Sequence, residues 1–167
     1  MTMHITEPTG AVAEMETEAV RAWQGLYSVT PRHVREAVSV VAKEGAETLT
    51  EEFYDRMQKN PRTTGFLDQE RVQQRLRASL RRWMTELFAT LDDEQLVPAI
   101  RRQIEVGVVH ARIRLPIDLI PAGIRVLKRG IRRRIDFTAL DAAERLVAQI
   151  YVSDLLHLAD SLMNQAY

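Results

Sequence analysis

Apolar side chains recur at spacings of three and four along most of the chain, with polar and charged residues between them. That period is typical of amphipathic helices, in which residues three and four apart share a face. The first such stretch predicts a helix over about residues 14–27. Its apolar face consists of Val20, Trp23 and Tyr27.

A second helix is predicted to start at Thr30-Pro31, because a hydroxyl residue at the N-cap followed by proline in the first helical position is a strong start signal. It should continue to about residue 59, since Asn60 precedes Pro61 and the residue before a proline avoids the helical region. The predicted inner face consists of Val34, Val38, Val41, Leu49, Phe53 and Met57.

A short turn through Phe66 and Leu67 leads to the next long helix. Asp68 is its predicted N-cap, and the helix should reach about Ala89. Its apolar stripe consists of Val72, Leu76, Leu80, Trp83, Leu87 and Phe88.

Asp92 and Gln95 resemble a capping box, in which two side chains three positions apart accept each other's backbone N–H. The helix that they open contains Pro98, close enough to the start either to be tolerated or to mark a break, and Leu115-Pro116 should end it. Its inward positions include Ile100, Ile104 and His110.

Two further helices are predicted, one over about residues 117–134 and one from Thr138 or Asp141 to Tyr167. No segment shows the strict alternation of a strand, and no Asn-Gly or Asp-Gly turn occurs, so the fold class should be all-α. Six helices have predicted limits, and an overall count of about seven with short loops, several ended by proline, favours a globin-like packing over an up-and-down four-helix bundle.

The chain of 167 residues fits a single domain. We expect that domain over residues 14–167, preceded by a flexible arm of residues 1–13, which is short of large apolar side chains and contains Pro8 and Gly10.

The charges balance, with 23 basic and 23 acidic side chains. This balance removes the overall attraction on which nucleic-acid binding generally depends, and we expect no nucleic-acid partner. One basic cluster is interpreted as a solvated helix end, where cations meet the carbonyl dipole favourably. It consists of Arg125, Lys128, Arg129, Arg132, Arg133 and Arg134.

The chain contains no cysteine, which excludes disulfides, thiolate-bound iron–sulfur clusters and a cysteine nucleophile. The first ten residues lack both the basic start and the apolar core of a signal peptide. No apolar run approaches the roughly 18 residues that a membrane span needs. We therefore expect a cytoplasmic protein that has no membrane partner.

His110 lies in the apolar run Val106–Ile113. A lone histidine on an apolar helix face is most often a hydrogen-bonded core residue. A single imidazole facing an apolar chamber is also the ligand that a haem iron requires. Gly107 lies on roughly the same face and, lacking a side chain, would leave room for a flat group to approach the backbone. Spacing alone leaves both interpretations open.

The other polar residues do not indicate an enzyme. His4, His33 and His157 are not spaced for a zinc site. The acidic pairs Glu51-Glu52 and Asp92-Asp93 fall at helix flanks, where acids are expected. No glycine-rich phosphate loop or nucleophile elbow occurs, so we expect no catalytic residues in this chain.

An ordered set of short motifs resembles the sensor globin domains of globin-coupled sensors, most closely those attached to diguanylate cyclases. The resemblance covers about residues 18–167. The motifs are Glu52-Phe53-Tyr54, Pro61, Phe66-Leu67, Val72-Gln73-Gln74-Arg75-Leu76, Arg82-Trp83 and Val109-His110-Ala111-Arg112-Ile113 with Pro116.

This resemblance implies a haem b with His110 as the proximal ligand of its iron, Tyr54 as a distal hydrogen-bond donor to O₂, and Leu76 as a distal gate. CO and NO would bind at the same iron. Further residues could line the haem, although each would also suit any apolar core. They are Phe53, Phe66, Leu80, Met84, Val106, Ile113, Leu115 and Ile117.

The resemblance also implies an oxygen sensor that forms a homodimer through its last two helices and signals to a C-terminal output domain. Apolar residues on more than one face of the last helix, including Tyr151 and Leu156, agree with a dimer, but cover within a monomer would explain them equally. The chain lacks the Gly-Gly-Asp-Glu-Phe signature of a diguanylate cyclase, and we expect it to be a standalone sensor or an excised module.

Two alternative functions remain at this point. One is an oxygen-storage globin, which has no need of a dimer surface, and the other is a haem-free regulatory globin. A nitric oxide dioxygenase would require a flavin-binding module, which this sequence does not contain.

Overall fold

The computed structural model describes residues 10–67 and 70–167, which form eight helices and no β-strand. The all-α prediction is confirmed, with one helix more than the predicted seven. The helices are α1 (Gly10–Val29), α2 (Arg32–Glu44), α3 (Ala46–Gln58), α4 (Thr64–Leu67), α5 (Glu70–Leu87), α6 (Asp93–Arg112), α7 (Leu119–Ile135) and α8 (Ala142–Asn164).

The second predicted helix is in fact two helices that meet at Gly45. This residue is the C-cap of α2, and its N–H bonds to the carbonyl of Val41. A Cβ at Gly45 would lie 2.8 Å from the Val41 carbonyl oxygen and 3.1 Å from the side chain of Arg134 on α7. The close approach of α7 at this point is a tertiary contact, which helical periodicity could not reveal.

The start of α2 also differs from the prediction. Its N-cap is Pro31, with ψ of 144°, and no side chain caps the helix. Thr30 is therefore outside the cap position, and its carbonyl instead accepts a hydrogen bond from Arg35 Nε at 3.2 Å. The predicted cap at Asp68 lies outside the described residues. The first helix begins at Gly10, earlier than the predicted start near residue 14.

The two predicted acidic caps are confirmed. At α6, the backbone N–H of Asp92 donates to Gln95 Oε1 at 2.8 Å, which completes a capping box. At α8, Asp141 and Glu144 bond reciprocally, with N···O distances of 2.8 and 2.9 Å. Helix α6 continues through Pro98. These features depend on neighbours in the sequence, and the sequence therefore predicts them well.

Helix α8 lies at the centre of the packing and contacts α1, α2, α6 and α7. The predicted inner faces supply much of the core. Among the described side chains, the largest fully buried ones include Trp23, Leu49, Leu87, Phe88 and Ile100. Tyr151 and Leu156 are also fully buried within this single chain. Their burial on α8 is thus explained within one chain, and these two residues carry no argument for a dimer.

Helix α6 crosses α8 at unusually short range. An ideal Cβ on Gly107 would lie 2.7 Å from the carbonyl carbon and 2.8 Å from the Cα of Met163. A second contact follows, in which the Tyr167 hydroxyl donates to the carbonyl of Leu115 at 3.0 Å. The ends of α6 and α8 are therefore held together on both sides of His110.

Within the described residues, no helix is both long and apolar enough to cross a membrane.

The Gly107 contact predicts a specific loss of stability. Gly107→Ala would place a methyl group against the Met163 main chain, and the resulting backbone shift should cost on the order of 1–3 kcal/mol of unfolding free energy. Chemical denaturation measures this change.

Gly25→Ala is the matched control. Gly25 lies within α1 with no atom within 4 Å of an added Cβ. Alanine there should stabilise the protein by about 0.5–1 kcal/mol, because glycine loses more backbone entropy on folding. Equal effects at both positions would contradict the close approach of α6 and α8.

Candidate functional site

His110 lies in the last turn of α6, where the helix ends in a Schellman motif. The N–H of Leu115 donates to the His110 carbonyl at 3.0 Å, and the N–H of Arg114 donates to the Ala111 carbonyl at 2.9 Å. Arg114 has φ of 56°, the left-handed conformation that this motif requires. The two hydrogen bonds hold the backbone at His110 in one orientation.

The His110 side chain is half-buried. Its Nδ1 is buried and has no hydrogen-bond partner within the described part of the chain. Burial also lowers the pKa of the imidazole, because a charged ring would lose its hydration. The ring is therefore neutral at physiological pH, which is the form that binds a metal ion. Among the described residues, Nδ1 also lacks the hydrogen-bond partner expected in a core histidine.

The surroundings of Gly107 correct one prediction. Gly107 does not leave room for a flat group, because the main chain of Met163 occupies that space. The open apolar surface lies on the other side of His110, where Val109 is 53% and Ile113 is 49% exposed. Val106, Val109, His110 and Ile113 share one helical face. A flat apolar group would meet His110 from that face, away from α8.

Tyr54 lies in a separate apolar cluster between α3, α4 and α5, here called the tyrosine cluster. Its buried members are Tyr54, Met57 and Leu67, and the half-buried side chains packed against them are Phe53, Phe66, Leu76 and Leu80. Five residues that the sequence indicated as site candidates therefore lie together, although they are spread over three helices. Met57 and Leu67 are members that the site prediction omitted, since neither differs in type from an ordinary core residue.

The hydroxyl of Tyr54 stays protonated over the physiological pH range. Tyr54 is 3% exposed, and burial raises its pKa to about 12, with a smaller opposing effect from Arg77. The ring of Phe53 meets the Tyr54 ring edge-on, with centroids 5.2 Å apart and an interplanar angle of 83°. Tyr54 is thus a neutral hydrogen-bond donor held in an apolar setting.

The remaining predicted lining residues are divided between other environments. Met84 is fully buried in the main core, Val106 and Leu115 pack against that core, and Ile113 and Ile117 are exposed. Phe53 and Leu80 contact both the main core and the tyrosine cluster. A hydrogen bond of 2.7 Å from Trp83 Nε1 to Gln103 Oε1 joins α5 to α6.

His33 and part of the basic cluster on α7 have structural partners. His33 Nε2 lies 2.8 Å from Glu144, and His157 is exposed, whereas His4 lies outside the described residues. No group of three or more histidine, aspartate or glutamate side chains in the described ranges could hold a metal ion. Part of the basic cluster on α7 is paired, since Arg133 and Arg134 both bond to Glu52 of α3 at 3.0 and 2.9 Å.

Some apolar surface on α8 remains uncovered. Leu146 is 59% and Ile150 is 52% exposed, one helical turn apart, and Phe137 in the preceding loop is 90% exposed. These three residues are here called the α8 patch.

Comparison with known proteins identifies relatives that share most of this chain. Residues 29–167 match the family model described as Protoglobin. The diguanylate cyclase DosC of Escherichia coli K12 is 30% identical over 146 residues, which is 87% of this chain and 31% of DosC. The Shigella flexneri DosC has the same identity, with 38% of its length covered. The chain thus spans about a third of the length of these relatives.

Solved structures agree with these matches. The ferrous and ferric crystal structures of the E. coli DosC globin domain each align with a TM-score of 0.84 and 27% identity, covering 89% of this chain and 99% of theirs. The globin domain of a Geobacter sulfurreducens globin-coupled sensor, at 23% identity and a TM-score of 0.70, covers 82% of this chain and 90% of its own, and shows the same fold. The globin-like fold is confirmed, and this chain belongs to the Protoglobin family as a sensor globin domain related to that of DosC.

Proposed function

We propose that this chain is a haem-based oxygen sensor in which His110 binds the iron of haem b. The observation that carries the proposal is the setting of His110. Its ring is neutral, its buried Nδ1 has no partner among the described residues, and an uncovered apolar face of Val109 and Ile113 adjoins it. Likeness to a globin domain described in ferrous and ferric forms adds independent support.

These residues fit the cofactor by their chemistry. An iron porphyrin needs one neutral imidazole and a large apolar surface for its flat macrocycle. When bound, the haem would supply an iron centre that takes up O₂, CO or NO reversibly. His110 would hold the iron from the proximal side, and the Schellman motif would keep the backbone that carries it in one orientation.

Tyr54 would supply ligand discrimination. Its protonated hydroxyl would donate a hydrogen bond to the gas ligand, and this bond favours O₂ over the less polar CO. Leu76, in the same cluster, would act as the distal gate that excludes water. Phe53, Phe66 and Leu80 would keep the surroundings apolar, which strengthens the hydrogen bond.

A route from Tyr54 to the dimer helices passes through its neighbour Phe53. The Phe53 ring lies where a side chain on Gly123 of α7 would be, with Cε2 only 2.8 Å from that Cβ position. Glu52, adjacent in sequence, bonds Arg133 and Arg134 of α7. A change at Tyr54 would therefore shift the balance between two arrangements of α7 and α8 in a homodimer. In the parent protein these helices would signal to a C-terminal output domain, and the DosC relatives favour a diguanylate cyclase.

The absorption spectrum tests the proposed cofactor. We expect the purified chain to show a haem Soret band that shifts reversibly with O₂, and His110→Ala to lose or grossly alter it. His157→Ala, which changes an exposed histidine on α8, is the matched control and should leave the band unchanged. A colourless chain that takes up no added hemin would refute haem binding and support a haem-free regulatory globin.

Ligand dissociation tests the distal role of Tyr54. Loss of one hydrogen bond worth about 0.5–1.5 kcal/mol predicts that Tyr54→Phe releases O₂ roughly twofold to twelvefold faster. Stopped-flow displacement of O₂ by CO gives this rate. CO dissociation serves as the internal control and should change less, and an unchanged O₂ rate would refute the distal role.

The dimer is tested on the α8 patch. We expect the wild-type chain to sediment as a dimer and the double variant Leu146→Glu/Ile150→Glu as a monomer, because two buried carboxylates would oppose association. Val40→Glu is the control, since Val40 is equally exposed but lies on α2. A wild-type chain that stays monomeric at high concentration would contradict the homodimer and favour the oxygen-storage alternative.

A further inference from the structure

Arg77 of α5 occupies a position beside Tyr54 that the resemblance does not explain. Its guanidinium carbon lies 5.3 Å from the centroid of the Tyr54 ring, within range of a cation–π contact. The Arg77 side chain is only 26% exposed, so this contact is partly shielded from water. Such shielding strengthens the attraction between a cation and an aromatic face.

A second partner determines where the Arg77 guanidinium lies. Its Nη1 donates to Oε1 of Glu51, which lies on α3 one helical turn before Tyr54. Residues three apart on a helix share a face, so Glu51 holds the cation above the Tyr54 ring. The Phe53 ring packs against the same ring in an edge-to-face arrangement. The Tyr54 ring is therefore held by a cation on its face and by an aromatic neighbour.

Arg77 also follows Leu76, the proposed gate, along α5. Leu76 packs into the tyrosine cluster, whereas Arg77 bridges to α3 just outside it. One turn of α5 therefore carries an apolar side chain beside Tyr54 and the cation above its ring.

We propose that Arg77 is a positioning residue for Tyr54, which holds the ring in its donor orientation and strengthens the hydroxyl as a hydrogen-bond donor. A cation over the ring withdraws electron density from it and favours partial release of the hydroxyl proton. The lowering effect of Arg77 on the Tyr54 pKa has the same direction. The expected effect of Arg77 on O₂ binding rests on the proposed function. The expected effect of Arg77 on the Tyr54 hydroxyl does not require haem.

The first measurement is the pKa of Tyr54 in the haem-free chain. Incorporation of a fluorinated tyrosine lowers every tyrosine pKa, so that the fold survives the titration, and subtraction of the Tyr54→Phe curve isolates this residue. We expect Arg77→Met to raise the pKa of Tyr54 and Arg77→Lys to restore most of the difference.

Arg81→Met is the matched control. Arg81 lies one turn further along α5 and pairs with Glu47 at 3.3 Å, so its replacement removes the same charge and a similar ion pair. It should leave the Tyr54 pKa close to the wild-type value. An equal shift in Arg77→Met and Arg81→Met would overturn the proposal, because the effect would then be one of general charge.

The second measurement is the O₂ dissociation rate of the haem-loaded chain. Arg77→Met should release O₂ about twofold to fivefold faster than wild type, and should have no effect in the Tyr54→Phe background. A similar acceleration in both backgrounds would overturn the proposal, since Arg77 would then act independently of Tyr54.

Glu51→Gln separates the ring contact from the link between α3 and α5. It removes the negative charge, but the glutamine side-chain oxygen can still accept the hydrogen bond that keeps Arg77 over the ring. We therefore expect a Tyr54 pKa at or below the wild-type value. A rise in the Tyr54 pKa equal to that in Arg77→Met would show that the ion pair alone sets this pKa. It would overturn the role proposed for the contact between Arg77 and the ring. A colourless protein would refute the proposed function, yet the fluorotyrosine titration would still decide the role of Arg77.

Discussion

The close approach of α6 to α8 at Gly107 is the constraint on which the candidate site depends. Only a residue without a side chain allows the Met163 main chain to lie so near the axis of α6. Gly107 is buried in this contact, and the half-buried His110 lies one turn further along α6. The apolar surface of Val109 and Ile113 stays uncovered.

The other half of the site is built on different helices and depends on different forces. The tyrosine cluster is an apolar assembly of α3, α4 and α5, and α3 is tied to α7 by the ion pairs of Glu52. Exposed ion pairs of this kind contribute little stability, about 0–1 kcal/mol each, but they limit how far α3 and α7 can slide. Phe53 of α3 also packs against Gly123 of α7, so apolar packing and ion pairs both join these two helices.

The sequence predicted those parts of the fold that local chemistry controls. The caps at Asp92 and Asp141 are correct because each involves side chains only three positions apart. The break at Gly45 was missed because apolar periodicity continues on both sides of it, and the contact between Gly45 and Arg134 joins residues far apart in the chain. Gly107 was predicted to face a flat group, but it faces the Met163 main chain, which is also far along the chain. Both errors concern a glycine whose role is defined by the element that packs against it.

By itself, the sequence determined the helical class, most helix limits, the resemblance to sensor globins and the candidates Tyr54 and His110. Only the tertiary structure decided that Tyr151 and Leu156 are covered within the chain, that the open face adjoins His110 on the side away from α8, and that Arg77 lies over Tyr54. The physical reason is that helical periodicity defines which residues share a face, whereas the neighbour that covers this face is set by packing between segments distant in sequence.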